Sequence, residues 1–195
     1  VVPISWTRDT IGPMARSVAD LALLDQVICG GGGEKADLAE FRIGVDRDFF
    51  CTDADPKVLE IFNAELQRIK EAGAEIVDVQ IKELEESIVA AGQGITMYEI
   101  VRSLPRYLEQ SGLDISIEDV FNQVAATGLG PFLTSLLDDN AISEEIYKLS
   151  IEQDRPALQK MYADCFSDNT IDALIFPATL IMPFKLQGQG THMHK

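Results

Sequence analysis

Residues 41–45, FRIGV, form a short apolar run. Asp55 and Pro56 then supply a helix N-cap and an N1 proline. Leu59, Phe62, Leu66 and Ile69 keep one apolar face over the turns that follow. Gly73 stands where a C′ glycine ends a helix, and AEIVDV at 74–79 reads as a second strand. Two strands separated by a full helix do not make a hairpin. They make a right-handed crossover with parallel strands, the βαβ unit. That unit commits the chain to a sheet covered by helices, so the fold class is α/β.

The remaining segments fit around it. Residues 1–16 hold Pro3, Gly12 and Pro13 and read as an extended segment and loop. Ser17 and Asp20 make a capping-box-like helix start, continued by Val18, Leu21, Ala22, Leu24 and Ile28 and stopped by Gly30–33. The four glycines follow a helix instead of preceding one and carry no Gly-Lys-Ser/Thr, so they read as a surface loop, not a phosphate cradle. Residues 83–166 are mostly helical: one helix broken at Gly92 and Gly94, another from Ile95, a capping box at Ser116, and a long run from Ser143 bent or split at Pro156. Residues 172–176 are a buried strand that turns out at Pro177. The organisation is thus loop, helix and βαβ unit over 1–80, a helical region over 81–168, a strand and turn over 169–184, and a polar tail over 185–195.

Composition narrows the partners. Sixteen basic against thirty-two acidic residues give a formal charge of −16. Such a chain repels phosphate backbones and anionic lipid, so neither nucleic acid nor a membrane surface is expected as partner. Cys29, Cys51 and Cys165 are odd in number and contain no CxxC pair, which favours buried inert thiols in a reducing cytoplasm over a disulfide framework. No apolar stretch reaches the roughly 20 residues of a membrane span.

Catalytic patterns are scarce. GxSxG and SxxK are both absent, and the only histidines, His192 and His194, sit in the terminal tail. Asp46, Asp48, Asp53 and Asp55 invite a calcium reading, but Cys51 stands at the glycine position of an EF-hand loop and Lys57 at the bidentate glutamate. The expected metal and cofactor complement is none.

The first residues carry more. The runs VPISW at 2–6, DTIGP at 9–13 and MARSVADLALL at 14–24 closely resemble the amidase signature family of hydrolases. AGAEIV at 72–77 and DALIFPAT at 172–179 resemble later segments of the same family, in order, with Ala178 where a threonine is usual. The resemblance implies part of an α/β/α sandwich with a central mixed sheet and a helix-rich insertion. It implies hydrolysis of a carboxylic amide to acid and ammonia by a serine nucleophile, a bridging serine in a cis peptide and a lysine. Those residues and the glycine-rich oxyanion loop lie upstream of the stretch that Val1 begins. No catalytic residue is therefore assigned here. Ser5 belongs to the extended segment and Ser17 to a helix cap.

On this reading the chain is an incomplete single amidase-type domain, inactive alone. A small-molecule amide is its substrate, and a homodimer mate or the missing N-terminal segment its partner. The wording around Trp6 is closest to hydrolases of arylacetamides such as indoleacetamide or mandelamide. Substrate-binding residues are expected at Trp6, the lone tryptophan, and at Thr10, both on the segment that passes the family's cleft. The plainer reading of Trp6, taken alone, is a core or interface anchor. Asp9 and Arg16 read as structural. Two further readings stay open: a non-catalytic α/β binding or interaction module, and a subunit of a split or multi-subunit amidase.

Overall fold

The computed structural model describes residues 2–31, 37–124, 129–137 and 142–183. Its sheet has three strands, β1 (Arg42–Val45), β2 (Glu75–Asp78) and β3 (Ala173–Leu174), in the order β2-β1-β3. Both described pairs are parallel, with Ile43 opposite Ile76 and Ala173, and Gly44 opposite Val77 and Leu174. The elements around it are α1 (Val18–Cys29), α2 (Arg47–Phe50), α3 (Pro56–Glu71), α4 (Leu84–Gln110), α5 (Ile117–Asn122), α6 (Leu129–Ser135), α7 (Glu144–Leu149) and α8 (Arg155–Asn169).

The crossover forms as its caps dictate. The Asp55 side chain accepts from the Lys57 N–H at 2.7 Å, Pro56 opens α3, and Gly73 takes φ +107° just past its end. Alternation along the strands then sorts the two faces. Val45 and Ile175 pack with Phe62 and Leu66 of α3. Val77 and Leu174 point the other way, toward Cys165, Ile171 and the apolar side chains of α8. Helix, sheet and helix therefore stack as three layers, the α/β/α sandwich. β3 is shorter than the five-residue buried strand read from 172–176, because Pro177 lacks the N–H that would extend the ladder, and it is less buried: Ala173–Leu174 are half-buried, with Asp172 and Phe176 exposed beside them.

Beside the sandwich lies the helical region, with α4 packed along α7 and α8. A separate apolar cluster of Leu104, Leu108, Ile117 and Phe121 holds α5 against the C-terminal half of α4. Here the sequence reading needs correction. Gly92 and Gly94 do not break a helix; α4 runs through both without interruption. Each glycine costs the helix about 1 kcal/mol relative to alanine, and each permits a close approach. A Cβ on Gly94 would lie 2.5 Å from Ser150 Oγ, and one on Gly92 would lie 3.2 Å from the Arg8 guanidinium. The bend or split expected at Pro156 is a split: a wide π turn over Ser150–Asp154 separates α7 from α8. Proline cannot donate to the carbonyl one turn back, and the widened turn accommodates its ring.

Other local readings stand as structure. Ser17 caps α1, Ser116 and Asp119 close a reciprocal capping box on α5, and Ser143 caps α7. Asp46 caps α2 through Phe49 and also accepts from the Ile81 N–H at 2.8 Å, Asp55 caps α3, and Asp48 accepts from the Gln80 side-chain amide. Of the cysteines only Cys165 is buried; Cys29 is exposed at the end of α1 and Cys51 is intermediate. The difference at Cys29 follows from α1 itself, which buries none of its residues: Val18 is 81% and Val27 76% exposed. Among the described residues no helix is long and apolar enough to cross a membrane. Gly32, Gly33, His192, His194 and the polar tail lie outside the described residues.

Candidate functional site

The segment 2–10 has no regular structure, so its backbone groups need partners elsewhere. Its own side chain supplies the first: Asp9 Oδ2 accepts from the N–H groups of Ile4 at 2.9 Å and Ser5 at 3.1 Å. The Ser5 carbonyl in turn accepts from the amides of Arg8 and Asp9, closing a compact turn. Asp9 is thus structural, as read from the sequence.

The turn is bound to the helical region by polar contacts. Glu99, in the middle of α4, has no exposed surface. Its Oε2 accepts from Ser5 Oγ at 2.5 Å and from the Thr7 N–H at 3.1 Å. Its Oε1 accepts from Thr7 Oγ1 at 2.9 Å and from the Tyr147 hydroxyl at 2.8 Å. Arg8 donates to the Gly92 carbonyl and Thr96 Oγ1, and Arg155 of α8 donates to the Thr7 carbonyl at 2.8 Å. One buried carboxylate and two guanidiniums therefore fix residues 5–8 on α4, α7 and α8. A bare charge at that depth would be costly; four donors on two oxygens satisfy it.

Trp6 lies between those anchored residues, and the clamp turns it outward. Its ring meets Tyr147 edge-on at 6.2 Å, and Tyr147 stacks on Tyr98 at 4.1 Å. Arg102 continues the pile, its guanidinium carbon 3.5 Å from the Tyr98 ring centre. Burial, with the hydrogen bond to Glu99 second, pushes the Tyr147 phenol above its ordinary range.

Beyond Trp6 opens a cavity of about 550 Å³. Pro3 and Trp6 form one wall; Arg102, Ser103, Arg106, Tyr107 and Gln110 of α4 form the other. That volume lies within the usual range for small-molecule sites. Ser103, Arg106, Tyr107 and Gln110 recur at helical spacing, so one stripe of α4 faces the opening. The Ser103 hydroxyl is buried and has no hydrogen-bond partner among the described residues.

Of the two residues expected at a substrate site, Trp6 lines this cavity, half exposed at 52%. Thr10 is exposed and is not among the cavity's lining residues. The residues that organise the site, Glu99, Arg102, Ser103, Arg106 and Tyr147, went unread in the sequence. One signal was there: Ala91, Ile95, Glu99 and Ser103 are spaced by fours along α4, so two polar groups occupy a buried stripe.

The Amidase family model matches residues 1–194. An indoleacetamide hydrolase of Agrobacterium vitis is 31% identical over 193 residues, which cover 98% of this chain and 41% of that protein. A mandelamide hydrolase of Pseudomonas putida is 28% identical over 205 residues, covering 98% of this chain and 39% of that protein. The chain spans about two fifths of the length of these curated relatives. A solved structure described as an amidase superposes with a TM-score of 0.64 at 22% identity, covering 92% of this chain and 37% of that one, a likeness of fold. From its three-layer sandwich to the turn that presents Trp6, the chain belongs to the Amidase family.

Proposed function

We propose that this chain is the central-to-C-terminal part of a hydrolase that cleaves a carboxylic amide to acid and ammonia. The observation that carries the reading is the placement of Trp6. The family-like run over residues 2–24 includes the segment that a buried carboxylate and two arginines clamp against α4, and that clamp leaves the indole as a cavity wall. An aromatic wall beside Tyr107 suits a flat acyl group, and the relatives named for indoleacetamide and mandelamide point to the same arylacetamide class. Thr10, exposed and off the cavity's lining, contributes to substrate binding only where the upstream segment completes the pocket.

Hydrolysis adds water across the C–N bond: the carbonyl carbon gains hydroxyl, and the leaving nitrogen takes a proton and departs as ammonia. This chain's share is to hold the acyl group. The serine nucleophile, the bridging serine and the lysine come from an upstream segment. A lysine kept neutral in a dry pocket activates a hydroxyl without histidine. Exposed α1, with Met14 before it at 94%, offers a face for that segment. The three free thiols suit a reducing cytoplasm.

The test is ammonia release from phenylacetamide, indoleacetamide and mandelamide. The 195-residue chain alone is expected to release none. Co-expression with an upstream segment carrying the glycine- and serine-rich loop should give turnover, and Trp6→Ala should then raise KM. Turnover by the chain alone would overturn the division of labour. A completed enzyme that ignores all three amides would overturn the arylacetamide assignment.

A further inference from the structure

We infer that the cavity between the 2–10 segment and α4 binds an aromatic carboxylate. The chain carries twice as many acidic as basic residues, yet the cavity lining contains two arginines and no acidic side chain. Arg106 makes no salt bridge or hydrogen bond among the described residues. Arg102 is held over Tyr98 and spends one nitrogen, Nη1, on the Tyr98 carbonyl at 2.9 Å, leaving further donors for a ligand. Two guanidiniums one turn apart on a helix present paired N–H forks to one oxyanion. Ser103 lies between them in sequence, and its buried hydroxyl lacks a partner among the described residues. A native structure rarely leaves such a group unpaired, so a ligand acceptor oxygen is the natural mate.

The rest of the lining selects what accompanies the charge. Trp6 and Tyr107 offer aromatic surface on opposite walls, and Gln110 closes the stripe with an amide able to donate or accept. A bare inorganic anion would leave the aromatic walls wetted and unused. A neutral aryl amide, which the proposed hydrolysis brings to the same cavity, offers the guanidiniums a carbonyl oxygen but no charge, so it binds more weakly than the acid. A ring carrying a carboxylate satisfies both halves. Acids released by the hydrolysis proposed above fall in this class, but the inference stands on the cavity alone and needs no turnover.

Trp6 is the lone tryptophan, so its fluorescence reports occupancy directly. The intact chain is titrated with phenylacetate, and in parallel with acetate, phosphate and phenylacetamide. Expected is a saturable change with phenylacetate, at a dissociation constant at least tenfold below that of each of the other three. Arg106→Gln should weaken phenylacetate at least tenfold; the residue is exposed, so folding should survive. Ser103→Ala should weaken it several-fold while leaving the urea unfolding curve in place or shifted upward. Equal affinity for phenylacetamide, or for phosphate, would overturn the inference. So would an unchanged phenylacetate titration in Arg106→Gln, or no saturable signal in the parent chain.

Discussion

If the Glu99 clamp holds the N-terminal segment on the helical region, its removal should be among the costliest single changes in the chain. The carboxylate receives four donors: the Ser5 hydroxyl, the Thr7 amide, the Thr7 hydroxyl and the Tyr147 hydroxyl. Hydrogen bonds to a charged group contribute about 1.5–3 kcal/mol each against about 0.5–1.5 for neutral pairs, and they are not additive within one network. Glu99→Gln keeps one oxygen. Placed at the Oε2 position, it still accepts from Ser5 and from the Thr7 amide. The new NH₂ then faces two hydroxyls, and both can rotate to accept. Charge assistance is lost but no donor need be orphaned, so about 2 kcal/mol is expected. Glu99→Ala leaves all four donors without their acceptor and a void in the helix contact, for about 4 kcal/mol. Taking a urea m-value of about 2 kcal/mol/M, the midpoints should fall by roughly 1 M and 2 M. In the cycle of Glu99→Ala with Tyr147→Phe, a coupling of roughly 1.5–3 kcal/mol is expected. Trp6 emission should shift in both Glu99 variants, since the indole rests on Tyr147. An alanine midpoint within about 0.2 M of the parent, or a glutamine cost equal to the alanine cost, would refute the clamp.

Three further outcomes test other parts of the structure. Gly44→Ala should destabilise by about 1–3 kcal/mol in urea, because its Cβ would stand 2.5 Å from Ile171 Cδ1 and 3.2 Å from Leu174 Cδ1 inside the sheet–α8 layer. Val27→Ser on exposed α1 should change the stability by less than about 0.5 kcal/mol, as Val27 is 76% exposed and no residue of that helix is fully buried. Tyr147 titrates above its ordinary range when folded, first from burial and then from its bond to Glu99. The folded state therefore binds this proton more tightly, and the associated stability is complete below the unfolded value of about 10 and lost as pH rises through the folded one. Tyr147→Phe should be less stable than the parent at pH 8 and should lose less between pH 8 and pH 11, measured as urea midpoints; parallel losses would count against the assignment.

The sandwich was legible because each of its signals is local and each agrees with the next. Asp55, Pro56 and Gly73 mark the ends of α3, and alternation in the flanking runs sets the faces of β1 and β2. α4 was misread because Gly92 and Gly94 act through what approaches them, Arg8 from one segment and Ser150 from another, and such partners have no trace in a window of sequence. The site divided in the same way. Trp6 could be named from its run of neighbours, whereas Glu99 depends on Tyr147, forty-eight positions away, and Ser5, ninety-four positions away. Arg102 and Arg106 look like any solvated pair on a helix until Pro3 and Trp6 of the N-terminal segment are set opposite them.

The means of attachment bears on the chemistry. A segment anchored by apolar burial would have carried Trp6 into the core, since a large aromatic ring contributes most to such a contact. Here the anchoring is assigned to Ser5, Thr7 and Arg8, through directional bonds to Glu99, Gly92 and Thr96, and to the Thr7 carbonyl through Arg155. Directional bonds fix rotation about the segment as well as its position. With its neighbours on both sides held, the indole is aimed at the cavity at little cost in side-chain freedom, which is the preorganisation that a binding wall requires. The same argument sets the difference between the two expected site residues. Trp6 has held residues on either side, whereas Thr10 follows the last hydrogen-bonded residue of the turn, Asp9, and stands exposed at the start of an unanchored stretch. Any contribution of Thr10 to substrate binding should therefore be the smaller one: in a completed enzyme Trp6→Ala should raise KM by more than Thr10→Ala, and the reverse order would show that positioning by the clamp does not govern the pocket.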